Sequence, residues 1–318
     1  MIAVHLESGQ VSVRERSIPA RPPSFALIRM LAAGICNTDL ELLQGYYGFS
    51  GTPGHEFVGE VVETDTPALM GRRVAGEINL ACRHCDSCAI GLGRHCPNRT
   101  VLGIVKHPGA FAEYLLLPES NLHILPGEIP TEHAVFIEPL AAACEILEQI
   151  HISAGERIAV LGDGKLGLLI AQALQASGAR VTLYGRHEQK LRIAAKVGVE
   201  TNAAANRPSA EFQFVVDSTG SSSGLQEAIS MVRPRGTVVM KSTIHQRVPI
   251  DTAPVIVNEI TLIGSRCGPF EPAIELLRTR QVDLTEMISA EYPLASAPAA
   301  FAEAARNDTL KILLRNDH

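Results

Sequence analysis

The chain has 318 residues, 46% hydrophobic and 19% charged, enough for a large core and a length that fits two domains; disordered and coiled-coil readings fail on this composition. Twenty-eight Lys and Arg against 34 Asp and Glu give a net charge of −6 with no basic run, so neither a nucleic-acid nor an anionic-membrane partner is expected. The N-terminal stretch MIAVHLESGQVSVRER carries charges where a signal peptide needs an apolar core, and no window approaches the ~18 apolar residues of a membrane span. A soluble, cytoplasmic protein is expected.

Up to about residue 125, short apolar runs broken by Gly and Pro (FALIRML, FVGEVVE, FAEYLLL) read as strands in an antiparallel or barrel-like arrangement. The same half holds Cys82, Cys85, Cys88 and Cys96, four of the seven cysteines within fifteen residues. An odd cysteine number without a secretory signal argues against a disulfide framework. Four soft thiolates on one Gly-rich lobe instead suit a tetrahedral zinc with no open position, hence a structural site. Free thiols, a redox CxxC pair or an iron–sulfur cluster are the alternatives for this cluster.

From about residue 155 the pattern changes to strands alternating with helices. RIAVL, VTLY, FVVD, GTVVM and ITLIG read as strands; KLGLLIAQALQASG, HEQKLRIAAKVG and GLQEAISMV read as helices. Such alternation indicates a doubly wound parallel sheet. Gly162-Asp163-Gly164-Lys165-Leu166-Gly167 is G-x-G-x-x-G between a strand and a helix, where glycines permit a tight turn and close approach of a pyrophosphate to the helix N-terminus. About twenty residues on, an NAD site expects an acid for the ribose 2′-hydroxyl, but this chain has Tyr184-Gly185-Arg186-His187 and then Lys190. A guanidinium in that place suits a 2′-phosphate, so NADP is favoured, with NAD possible. Thr219, Lys241 to Thr243, and Arg266 follow later strand ends and are further candidate cofactor contacts, or ordinary strand-end loops.

Three more segments carry ligand types: Cys36 in GICNTDLE, His55-Glu56 in PGHEFVGE, and Glu138 in FIEPLAAACE. Their spacing alone does not join them. The order of motifs does: GICNTD, GHE with Gly59, the four-cysteine lobe, GAFAEY, EPL and the Gly-rich turn together resemble a zinc-dependent medium-chain dehydrogenase/reductase, on the polyol, threonine and glucose dehydrogenase branch. That resemblance implies a GroES-like catalytic domain over 1–139, a Rossmann domain over 140–266 and a return to the catalytic domain over 267–318, with the active site in the cleft between the domains. It implies a catalytic zinc among Cys36, His55 and Glu138, with Glu56 as an alternate or nearby ligand, and a structural zinc in the lobe. Thr38 would take the proton of an alcohol substrate during hydride transfer to the nicotinamide. Many family members carry His where this chain has Glu41, so a carboxylate would complete the proton relay or simply face solvent. A small alcohol or carbonyl substrate and a homodimer or homotetramer are further expectations. A zinc-independent enone or quinone reductase and a non-catalytic NADPH-binding protein share the fold and stand as alternatives. Tyr46, Tyr47 and Phe49 would wall the substrate pocket, or belong to a β-rich core.

Overall fold

The computed structural model describes residues 1–244 and 247–316, which divide by contact into two units: Met1–Glu138 with the segment from Ile288 onward, and Pro139–Met287. The first opens with a hairpin of β1 (Ile2–Glu7) and β2 (Gln10–Glu15), closed by Ser8 and Gly9 at φ of 50° and 75°. Two positive-φ turn residues match the right-handed twist of the paired strands. The central strand is β3 (Phe25–Gly34), whose Ile28 and Met30 are fully buried. After α1 (Asn37–Leu43), β4 (Glu56–Glu63) returns antiparallel to β3 and sets Gly34 opposite Glu56.

The chain continues through β5 (Arg73–Gly76), β6 (Asn79–Leu80), α2 (Asp86–Ala89), β7 (Thr100–Leu102), β8 (Lys106–His107), β9 (Tyr114–Pro118), β10 (Leu122–Ile124) and α3 (Thr131–Ala134) into α4 (Ile137–Gln149). The second unit then alternates β11 (Arg157–Leu161), α5 (Lys165–Ala176), β12 (Arg180–Gly185), α6 (Glu188–Lys196), β13 (Glu200–Ala203), β14 (Phe212–Asp217), α7 (Gly224–Met231), β15 (Val232–Met240), α8 (Ala253–Val257), β16 (Thr261–Gly264) and α9 (Phe270–Arg278). Its sheet runs β13–β12–β11–β14–β15–β16 with every pair parallel, the 3-2-1-4-5-6 order of a Rossmann fold. Ile158, Ala159 and Val160 of the inner strand β11 are fully buried, as expected where helices cover both faces. Relative to the expected bounds, contacts place residues 267–287 in this unit. Gln172 of α5 ties them there, accepting the Asp283 N–H at 2.8 Å and donating to its carbonyl at 3.1 Å.

Finally β17 (Ile288–Pro293), α10 (Ala297–Ala304) and β18 (Lys311–Arg315) return to the first unit. Its main sheet is ordered β10–β5–β4–β3–β18–β17, with β9 also against β3 and only β17–β18 parallel. The molecule is thus a β-rich GroES-like domain plus a Rossmann domain. Strand β18 places Leu313 opposite Gly34, so three strands converge on one glycine beside the Cys36 and Glu56 positions. Among the described residues no helix is long and apolar enough to cross a membrane.

The Gly-rich turn after β11 allows backbone contact that side chains forbid. Gly162 has φ +106°, and a Cβ on Gly167 would fall 1.8 Å from the Gly162 carbonyl oxygen. Gly167→Ala is therefore expected to destabilise the Rossmann unit by ~1–3 kcal/mol through overpacking, read as a lower urea midpoint of its transition.

Candidate active site and metal centres

The first cluster is assembled by a buried carboxylate. Cys36 is the N-cap of α1, and Asp39 at the N3 position turns back so that its Oδ2 accepts the Cys36 N–H at 2.9 Å. Its Oδ1 accepts the Gly54 N–H at 3.2 Å and lies 3.5 Å from His55 Nδ1, in ion-pair range but outside hydrogen-bond geometry. Asp39 is fully buried and His55 nearly so. Burial disfavours a charged imidazole, but the nearby Asp39 carboxylate and then Cys36 outweigh it and raise the His55 pKa well above the ordinary histidine value.

Donor atoms of Cys36, His55 and Glu56 lie within 4.8 Å of one another. Sulfur, imidazole and carboxylate in one buried group suit zinc, with Asp39 behind the ring as the partner that orients a ligating histidine and leaves Nε2 for a metal. Charge points the same way. Two carboxylates and a thiol surround the buried Lys311 of β18, whose Nζ donates to Glu56 Oε2 and lies 5.6 Å from the Phe136 ring centre. Burial opposes the Lys311 charge, yet Glu56, Cys36 and Asp39 together raise its pKa. Lys311 carries no pattern that separates it from a surface charge along the chain, and Asp39, although it closes the GICNTD motif, shows its role only through its burial and partners.

Thr38 lies beside the cluster, its Oγ1 3.8 Å from the Cys36 sulfur. Glu41 follows three residues later on α1, and its charge contributes, after the Tyr47 hydroxyl and burial, to pushing the Tyr46 phenol up to about 12. The Tyr46 and Tyr47 rings lie 4.1 Å apart between centres, tilted by 42°, with Tyr47 exposed. Glu138, half-buried in the first turn of α4, falls outside the 4.8 Å group.

The second cluster is the cysteine lobe. Sulfur separations are 3.5 Å for Cys85–Cys88, 3.7 Å for Cys85–Cys96 and 3.5 Å for Cys96–Cys82, and all four lie within 4.8 Å. A zinc tetrahedron with bonds of about 2.3 Å has edges of about 3.8 Å, so the thiols fit that ion. Hydrogen bonding from the His84 backbone holds Cys82 down at about 6.

The dinucleotide candidates gather in the Rossmann unit. Gly164 caps α5 with no side-chain hydrogen bond, so the first turn of this twelve-residue helix, which begins Lys165-Leu166, presents backbone N–H groups of the kind that attract an anion. Arg186 and His187 stand exposed at the end of β12, and half-buried Lys190 is one turn further on α6. Thr219 is turned inward, its hydroxyl donating to Asp217 at 2.7 Å. Lys241 is likewise engaged, donating to the Ala142 and Arg266 carbonyls at 2.5 and 2.9 Å.

Residues 22–127 match the alcohol dehydrogenase GroES-like domain family, and residues 166–279 match the zinc-binding dehydrogenase family. The chain is 32% identical to a D-altritol 5-dehydrogenase of Agrobacterium fabrum over 91% of each chain. It is 30% identical to an L-threonine 3-dehydrogenase of Streptomyces avermitilis over 93% of each. A Sinorhizobium meliloti chain described as a zinc-binding dehydrogenase and solved with NADP superposes at a TM-score of 0.91, with 30% identity over 99% of this chain and 98% of the other.

Breaking the buried Lys311–Glu56 pair strands a charge. Lys311→Met is expected to destabilise the first unit by ~3–5 kcal/mol, and adding Glu56→Gln to recover much of the loss, as measured by urea unfolding.

Proposed function

The chain belongs to the zinc-type medium-chain dehydrogenase family, NAD(P)-linked oxidoreductases acting on CH–OH groups, and we propose that it oxidises a polyol-like secondary alcohol with zinc and NADP. The observation that carries this reading is the clustering of the half-buried Cys36 sulfur with the buried His55 and Glu56 donors, all within 4.8 Å of one another and backed by Asp39. Relatives named for D-altritol, erythritol or L-threitol, and sorbitol support a polyol.

In this mechanism Cys36 and His55 hold the catalytic zinc, with Glu56 or Glu138 as the carboxylate, and Cys82, Cys85, Cys88 and Cys96 hold the structural one. Zinc held by the first set supplies a Lewis acid for the substrate oxygen. Thr38 accepts the alcohol proton at Oγ1, and Glu41, an i,i+3 neighbour on α1, passes it outward. The uncapped N-terminus of α5 binds the pyrophosphate and Arg186 the 2′-phosphate. A homo-oligomer belongs to the same reading, with β16 as the sheet edge available for pairing.

Elemental analysis of protein purified without chelator is expected to give two zincs per chain. Cys36→Ser should lose one of them and turnover while keeping the fold, whereas Cys88→Ala should lose the other together with stability. A single zinc confined to the lobe would return the metal-independent enone reductase. Arg186→Ala should raise KM for NADP about tenfold or more while leaving NAD nearly unchanged; equal loss for both cofactors would remove Arg186 from the phosphate site.

A further inference from the structure

The end of β12 lacks an acid in its own sequence, yet it has one in space. Asp163, the second residue of the Gly-rich turn, is only 6% exposed. Its Oδ2 accepts the N–H of Arg186 at 2.8 Å and of His187 at 2.6 Å, and its Oδ1 stands 3.1 Å from His187 Nδ1. The approach requires Gly185, where a Cβ would fall 2.5 Å from Asp163 Oδ2. On the same turn the Arg186 side chain is exposed and has no partner among the described residues.

We propose that Asp163 sets the balance between the two nicotinamide dinucleotides, its carboxylate opposing the 2′-phosphate that Arg186 attracts. The two N–H groups it occupies lie at the entry to α6, the kind of backbone donor an anion would otherwise take. A 2′-hydroxyl is a donor and can give its hydrogen to a carboxylate; a 2′-phosphate brings like charge to the same place. Asp163 therefore does from the neighbouring loop what a strand-end acid does in an NAD site, and it also fixes the turn from which Arg186 projects. Cofactor choice in this chain is a contest between two adjacent charges rather than the property of one arginine.

The inference rests on the reading that the Rossmann unit binds a dinucleotide, and its test is a binding measurement that needs no turnover. The full-length protein is titrated calorimetrically with 2′,5′-ADP and 5′-AMP, and with NADPH and NADH. Asp163→Asn, which removes the charge but keeps an acceptor oxygen, is expected to shift the affinity ratio about tenfold towards the 2′-phosphorylated ligands, and Arg186→Ala to shift it the other way. Asp163→Ser serves the same purpose if the Asn variant does not fold. An unchanged ratio in a folded Asp163 variant, or a shift towards 5′-AMP, overturns the proposal whatever the wild-type preference. A wild type that prefers 5′-AMP, with the ratio still rising in Asp163→Asn, overturns the NADP reading and supports the role of Asp163.

Discussion

The first unit depends on what happens to the Asp39 carboxylate. A charge removed from water is costly unless its oxygens are satisfied, and here they are met by the N–H groups of Cys36 and Gly54 and by the nearby His55 ring. Those partners lie at the two ends of a long connection, one at the start of α1 and the other just before β4. One anion thus closes that connection onto itself and fixes where a sulfur and an imidazole come to rest. The arrangement is set by backbone hydrogen bonds, so a metal would meet donors already in place. Lys311 completes it from the far end of the chain, because β18 pairs with β3 and delivers a cation beside Glu56.

Much of the architecture could be read from the sequence because parallel strands covered on both faces appear as unbroken apolar runs. Each strand named from residue 157 to 264 is present, and so are the helices between them. The strand that pattern misses is β13, whose residues Glu200–Ala203 (ETNA) are polar or small. It lies at the sheet edge, where pairing needs no apolar side chains, so hydrophobicity carries no signal of it.

The site was legible to a different degree. Cys36, His55, Glu56 and the lobe cysteines are chemically distinctive and stand in ordered motifs. Asp39 and Asp163 sit inside two of those motifs, and Lys311 in none, but the role of each is set by burial and partner, which the motif does not state. Lys311 meets Glu56 across 255 positions, and Asp163 meets His187 across 24. The carboxylate that meets the end of β12 comes from the loop before α5, so the residues of the strand itself carry no sign of it.

The register of β3 against β4 has a consequence for how such a protein diversifies. Gly34 and Glu56 face each other across the pair, so the segment between them leaves and re-enters the sheet at the same height. That excursion carries α1 and then Tyr46, Tyr47 and Phe49. Lengthening a loop whose ends are already pinned costs little, roughly 0.6 kcal/mol per doubling. The distal part of the excursion is therefore an interchangeable cassette. Its length and side chains can change at little cost to stability, while the sulfur and imidazole at its two roots hold their positions.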